Sequence, residues 1–363
     1  MKIIITNSQF YHQKYGGVSR YSSCLIDELV KENLNIEVIA PIYKNRFLKD
    51  IKNIKKKGFY LPKYPNLKII QFLNNRLTEL YKKNIKADVI HDLYYPETEK
   101  DYLKKKIITI HDTIHEKFNH LYKDNYYKFR KKIIEKTDKF ICVSENTRQD
   151  FIEYYKINED RTCVITHGYE HLSDIETIDI SKFKKLKKPF LLYVGGRLKY
   201  KNFQLLAEAF ARINKINENF NIVCYGGEKI SKKEFSYFKK LGIEKKIIKL
   251  DGSDSLLKSL YINCELLVST SEYEGFGINI LEAIYLNCKV LSNEINVFKN
   301  IYKDSINYFR FNNLDHLIYQ LENIITNRKN NINQIDIKQI LLNNNWKSSG
   351  NKTYEIYKSL TNV

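Results

Sequence analysis

The 363-residue sequence contains no apolar stretch of about eighteen residues, so it offers no membrane-spanning helix. It has no Cys-x-x-Cys and no cluster of histidines. Its six cysteines (Cys24, Cys142, Cys163, Cys224, Cys264 and Cys288) are scattered, and five of them sit inside apolar runs. That pattern speaks against a zinc site and a disulfide framework; it suits small buried hydrophobes in a reducing cytoplasm. No repeat of roughly 20–50 residues appears, which sets solenoids and propellers aside. The opening Met1–Thr6 runs straight into a polar loop and reads as a first strand, not a secretory signal. At this length two domains are expected rather than one core.

What the sequence does have is positive charge, a formal +19. Lysine supplies 51 of the 61 basic residues. The excess is local: residues 52–139 hold 22 basic against 11 acidic side chains, whereas residues 1–180 as a whole net only +7. Runs such as Lys55–Lys57, Lys104–Lys106 and Arg130–Lys132 could meet an anionic membrane or a nucleic acid, or could be plain solvated surface. The 28 tyrosines are spread evenly and no nucleic-acid motif occurs, which disfavours a nucleic-acid partner. Neutralising Lys55–Lys57 should weaken vesicle binding if the membrane reading of that run holds.

Short β-branched runs alternate with helical spacing almost throughout. Strands are expected at 2–6, 36–40, 89–91, 107–111, 140–144 and 163–166, then at 190–195, 221–225, 247–250, 266–270 and 289–292. Leu25 with Leu29, and Phe203, Leu206, Phe210 and Ile213, mark helices between them. Nearly continuous apolar strands imply parallel sheets covered on both faces. The expectation is therefore α/β: two facing doubly wound, Rossmann-like domains. The first spans 1–172, a polar linker 173–189, and the second 190–345. Residues 346–363, with Trp346, Tyr354, Ile356 and Leu360, form a terminal helix returning to the first domain. An Asn-rich tract covers 327–345.

The segment Glu274-Gly-Phe-Gly-Ile-Asn-Ile-Leu-Glu282 carries the most information. An apolar strand, the turn Gly275-Phe276-Gly277 and a helix start build an anion site from free N–H groups. The carboxylates of Glu274 and Glu282 suit hydroxyls instead, so the ligand should carry phosphate and hydroxyls together, as a nucleotide sugar does. Gly195-Gly196-Arg197 with Lys201 gives a second phosphate loop with two cations, able to stabilise a departing diphosphate. Gly16-Gly17 before a helix is a third candidate. His111-Asp112-Thr113-Ile114-His115-Glu116 sits at a strand's carboxyl end, where open α/β sheets place working residues. Ser144 there reads more simply as a helix N-cap. The spacing of His111 and His115 lacks a third ligand, so no metal is expected.

Taken together these segments resemble the family 4 retaining glycosyltransferases, of GT-B architecture, and within them the mannosyltransferases of bacterial polysaccharide and O-antigen assembly. The resemblance runs over nearly the whole chain. It implies transfer of a sugar, mannose from GDP-mannose, to a lipid-linked or polysaccharide acceptor in cell-surface glycan synthesis. It further implies that Arg197 and Lys201 bind the donor diphosphate, with Gly17 closing over it from the opposite domain. Glu274 and the amides of Gly275, Phe276 and Gly277 would hold the donor sugar, Glu282 the ribose, and His111 would face the reacting sugar. No cofactor or metal is implied, only the nucleotide-sugar co-substrate, and the setting is cytoplasmic, peripheral on the inner membrane face. Asn287, Lys289 and Lys299 depart from the family pattern, and Arg197 lies one residue closer to Lys201 than in many members. A UDP-sugar transferase or a nucleotide-sugar epimerase of the same architecture is the alternative.

Overall fold

Two compact units divide the chain: residues 1–168 with 344–363, and residues 169–343. The computed structural model describes residues 1–98, 104–121, 126–183, 186–197, 199–326 and 332–361. Lys184 and Lys185 of the expected linker, and residues 327–331 of the Asn-rich tract, lie outside the described residues.

In the first unit the strands are β1 (Lys2–Thr6), β2 (Asn35–Tyr43), β3 (Lys55–Tyr60), β4 (Val89–Asp92), β5 (Lys105–Ile110), β6 (Lys139–Cys142) and β7 (Thr162–Val164). They pair in the order β3-β2-β1-β4-β5-β6-β7, all parallel. The second unit has β8 (Phe190–Val194), β9 (Asn221–Tyr225), β10 (Ile247–Leu250), β11 (Leu266–Ser269), β12 (Val290–Asn293) and β13 (Asn307–Phe309). Their order is β10-β9-β8-β11-β12-β13, again all parallel. Strand direction reverses its neighbour sequence between β1 and β4 and between β8 and β11, the doubly wound topology expected from the apolar runs. Ile3, Ile4 and Ile5 of β1 and Leu191 and Leu192 of β8 are fully buried, because helices cover both faces of a central parallel strand.

Two strands escaped the sequence reading. β3 contains the run Lys55–Lys57, whose charge masks its extended backbone. As the edge strand it can afford lysines, which also blunt its free edge. Lys56 Nζ donates to the carbonyls of Leu48 (2.7 Å) and Ile51 (2.6 Å), closing the short helix Arg46–Asp50, and Lys57 lies 3.7 Å from Glu37. These lysines are therefore partly structural. β13 is only three residues long and too short to register as a pattern.

The expected linker is not a free tether. Lys258 Nζ holds the carbonyls of Ser173 and Ile175, and the Ile178 amide donates to Ser259 Oγ at 2.8 Å, so 173–178 is laced onto the second unit. The unit boundary falls at 168/169 rather than at 172. The helix Trp346–Thr361 packs on the helix Gly17–Lys31 of the first unit. A Cβ on Gly350 would stand 3.0 Å from Glu28 Cβ, so the approach is close. Ser349 Oγ donates to Thr166 O, and the Tyr357 hydroxyl lies 2.7 Å from His91 Nδ1 in the sheet.

Tyr357→Phe keeps the packing and strips this buried partner from His91. It should cost the first unit about 1–3 kcal/mol. Urea unfolding followed by fluorescence of Trp346, the sole tryptophan and part of that unit, reads it directly.

Candidate functional site

Open parallel sheets bind ligands beyond the carboxyl ends of strands that flank the topological switch. In the second unit those strands are β8 and β11, and the sequence-selected residues lie on the loops that follow them. After β8 come Gly195 and Gly196. The next loop, after β9, presses against them: a Cβ on Gly227 (φ +72°) would fall 2.7 Å from Gly195 O, so this approach tolerates only glycine.

Arg197 is buried there. Its Nε donates to Glu234 Oε1 (2.9 Å) and its Nη2 to Glu228 O (2.6 Å), while Nη1 is buried with no partner. Glu234 is fixed in turn by a capping box with Ser231 at the start of helix Lys232–Lys240. Burial pushes the Glu234 carboxyl up, but the hydrogen bonds from Ser231 and the guanidinium outweigh it and hold it below the usual carboxylate range. The result is a rigid guanidinium with one donor edge uncommitted.

Lys201 Nζ is ion-paired with Glu274 Oε1, which ties the β8 loop to the β11 loop. The Lys201 carbonyl accepts from Tyr193 OH (3.2 Å) and Thr270 Oγ1 (2.9 Å). The turn around it carries two non-glycine left-handed residues, Lys199 (φ +47°) and Asn202 (φ +46°). Such strain persists only where surroundings impose it. Here Glu272 does so: its Oε1 accepts from Asn202 Nδ2 and Asn312 Nδ2, both at 3.1 Å, and its amide donates to Tyr200 O at 2.7 Å. Asn312 is held by Asn293 at the end of β12, its amide donating to Asn293 Oδ1 at 3.0 Å. Neither asparagine nor Glu272 was singled out from sequence; they lie up to 110 residues from Asn202 and no local motif joins them.

Gly277 (φ +86°) caps the helix Ile278–Tyr285, and a Cβ there would meet the buried Phe298 ring at 2.5 Å. Tyr302 OH donates to Gly277 O at 2.8 Å, fixing the Gly275–Gly277 turn. The Ile280 amide closes onto Gly277 O at 2.9 Å, and the preceding amides of this turn are those the sequence reading expected to meet an anion. Glu282 lies one turn in and is buried. Its Oε1 meets His171 Nε2 at 2.8 Å and its Oε2 accepts from Tyr261 OH at 2.7 Å. Burial and the adjacent carboxylate drive the Tyr261 phenol far above its ordinary range, so it stays protonated and donates. Both oxygens of Glu282 are thus already engaged, and His171 and Tyr261 are partners that sequence spacing did not reveal.

The remaining candidates belong to the first unit. Gly16, in extended backbone, is the N-cap of helix Gly17–Lys31, whose first turn carries no acidic residue. His111 follows β5. Its Nε2 donates to Leu93 O (2.9 Å), and its ring stands edge-on to Tyr21. The rest of the His111–Glu116 cluster disperses. Asp112 Oδ1 caps the Ile114 amide (3.1 Å), and Glu116 is buried against Arg130 at 2.6 Å, which makes it a structural ion pair. Ser144 caps its helix by accepting from the Thr147 amide.

The second unit's residues 174–339 match the family model described as glycosyl transferases group 1, and residues 15–171 match that described as glycosyltransferase family 4. A Campylobacter jejuni N-acetylgalactosamine-N,N'-diacetylbacillosaminyl-diphospho-undecaprenol 4-alpha-N-acetylgalactosaminyltransferase is 26% identical over 149 residues, 41% of this chain and 39% of that protein. An uncharacterized glycosyltransferase of Methanocaldococcus jannaschii is 23% identical over 60% of this chain and 59% of its own. The match therefore spans less than two thirds of either relative. Among solved structures, Anabaena HepE in complex with UDP and glucose superposes with a TM-score of 0.76 at 16% identity, covering 99% of this chain and 100% of that one. Both units thus have the GT-B type of Rossmann-like fold.

Burial lowers the His111 ring to about 4, against a small opposing effect of the Leu93 carbonyl, and lowers His91 to about 3, with His111 adding to the effect. Both are neutral in the fold. The unfolded chain gains protons below about 6.5, so stability is full above that pH and falls as pH drops towards 4 and 3, by about 1.4 kcal/mol per pH unit for each histidine. Urea midpoints of the first unit should decline steadily between pH 7 and 5. A flat profile would mean that these rings are charged inside the fold.

Proposed function

Because the chain belongs to the family 4 glycosyltransferases of GT-B type, we propose that it transfers a sugar from a nucleoside diphosphate donor to a glycan or lipid-linked glycan acceptor, with retention at the anomeric carbon. The observation that carries this reading is the Arg197 Nη1 edge. It is a buried cationic donor with no protein acceptor, on the loop after β8, and a buried donor calls for an acceptor. A diphosphate oxygen supplies one. Lys201 adds a second positive charge, and the amides opening helix Ile278–Tyr285 add neutral donors, so the leaving diphosphate is handled by protein groups without recourse to a metal.

In this reading the bond from the donor's anomeric carbon to the β-phosphate oxygen breaks while the acceptor hydroxyl forms its bond on the same face. The departing phosphate takes the hydroxyl proton, and the nucleoside diphosphate leaves. Glu274 orients the donor sugar's hydroxyls, and Glu282 reaches the ribose from its His171–Tyr261 seat. Sequence resemblance favours GDP-mannose. The UDP and glucose held by HepE favour a uridine donor instead.

Thermal unfolding against GDP, UDP, ADP, CMP and dTDP without added metal separates these. A ligand at about a hundred times its dissociation constant adds roughly 2.7 kcal/mol to the folded state. One nucleotide should stand out, and Arg197→Ala should abolish its effect. Silence from all five would overturn the reading. Glu274→Ala should lower turnover at least about a hundredfold once the donor is known. Near-normal turnover would remove Glu274 from the site.

A further inference from the structure

The helix Leu67–Asn84 in the first unit buries polar side chains and leaves large apolar ones outside. Its inward face carries Ile70, packed with Tyr11 and Ile42, together with polar groups: Asn74 clasps the Ile42 amide (2.8 Å) and carbonyl (3.0 Å), and Lys82 Nζ pairs with buried Asp92 at 2.7 Å. Glu79 is also buried and accepts from Thr98 Oγ1. The outward face is apolar. Ile69, Phe72 and Leu80 are more than half exposed, and Leu73 is 39% exposed. With Arg76 and Lys83 these residues fall at i, i+3, i+4, i+7, i+11 and i+14, a single stripe along about 21 Å of helix. Arg76 lies over the Phe72 ring at 5.5 Å, so charge and apolar surface are interleaved. Lys68 is exposed beside them, and no carboxylate occupies an exposed position of this helix. Contiguous exposed apolar surface of this kind marks an interaction site.

We propose that this face docks on an anionic lipid bilayer, with Ile69, Phe72, Leu73 and Leu80 entering the headgroup boundary and Lys68, Arg76 and Lys83 meeting lipid phosphates. Charge decides the occupant. A second copy joined through the same stripe would set three cations against three like cations, with no carboxylate to pair them. An anionic interface meets both components at once, as basic amphipathic helices do. No helix among the described residues is long and apolar enough to cross a membrane, so the attachment is by one surface. The inference stands apart from the donor site and does not depend on the sugar transferred. It also moves the contact from Lys55–Lys57, where Lys56 is occupied by carbonyls, to the neighbouring helix.

The test is flotation of the full chain with vesicles of phosphatidylethanolamine containing about one third phosphatidylglycerol, and with neutral phosphatidylcholine vesicles. Binding should be strong to the first and weak to the second. The exposed-site variant Phe72→Ser/Leu80→Ser, and separately Arg76→Gln/Lys83→Gln, should each weaken it at least about tenfold while the melting temperature stays within a few degrees. Lys239→Gln/Lys240→Gln, of equal charge change in the other unit, should leave it intact. Absent binding, equal binding to both vesicles, an unaffected Phe72→Ser/Leu80→Ser variant or an equal loss in the Lys239/Lys240 control would each overturn the proposal. Sedimentation velocity gives the remaining outcome: a dimer of the wild type that Phe72→Ser/Leu80→Ser dissolves would assign the stripe to a second copy and overturn it too.

Discussion

Within each sheet every strand of the described residues runs the same way, and that single constraint places the carboxyl-end loops. A parallel strand cannot turn back on itself; it needs a covering crossover before its neighbour. All carboxyl ends therefore share one edge, and at the switch between β8 and β11 the crossovers leave in opposite directions. The loops that follow β8 and β11 meet there, through Lys201, Asn202, Thr270, Glu272 and Glu274. The Lys201–Glu274 ion pair and the Glu272 bridge to Asn202 and Asn312 are consequences of this geometry. Residues some 70 apart in sequence become hydrogen-bonded neighbours.

Much of this was readable in advance. The strands of both units announce themselves as β-branched runs, and those of the second unit fall within a residue or so of their expected ends. Glycine spacing marked both the 195–196 turn and the left-handed Gly277. The two missed strands fail for physical reasons: β3 is an edge strand and can wear lysine, and β13 is shorter than one period of the pattern. Cys264 and Cys288 read as unrelated, yet their sulfurs stand 3.2 Å apart, since proximity across two elements leaves no local trace.

The site was legible as a set of residues and much less so as a set of bonds. Arg197 was identified, but its partner Glu234 is 37 residues away. Only the Ser231-to-Glu234 capping spacing hinted that this carboxylate would be held rigid. Glu282 was expected to meet a ribose; that His171 and Tyr261 also hold its oxygens, one from before the second sheet begins and one from an intervening helix, left no trace in the spacing. The same limit explains the helix Leu67–Asn84. Its sequence has sound helical periodicity, but periodicity gives two faces without saying which is inward. Asp92 and the Ile42 backbone settle that by demanding polar partners.

Buried polar groups thus do two jobs in this chain. Where they are paired to each other, as at Lys82–Asp92, they orient an element. Where a cationic donor on a loop at the carboxyl edge of the sheet is left incomplete, it offers a place for an anion. Arg197 shows the distinction within one side chain: Nε and Nη2 are spent on protein acceptors and hold the guanidinium still, leaving Nη1 aimed and unsatisfied. Lys201 differs, because Glu274 already neutralises it. Under the proposed function a diphosphate would compete for that ammonium, and on losing it Glu274 would gain lone pairs for hydroxyl groups. Under the proposed function this ion pair would couple the two halves of the ligand: capture of phosphate by Lys201 would free the carboxylate for the sugar.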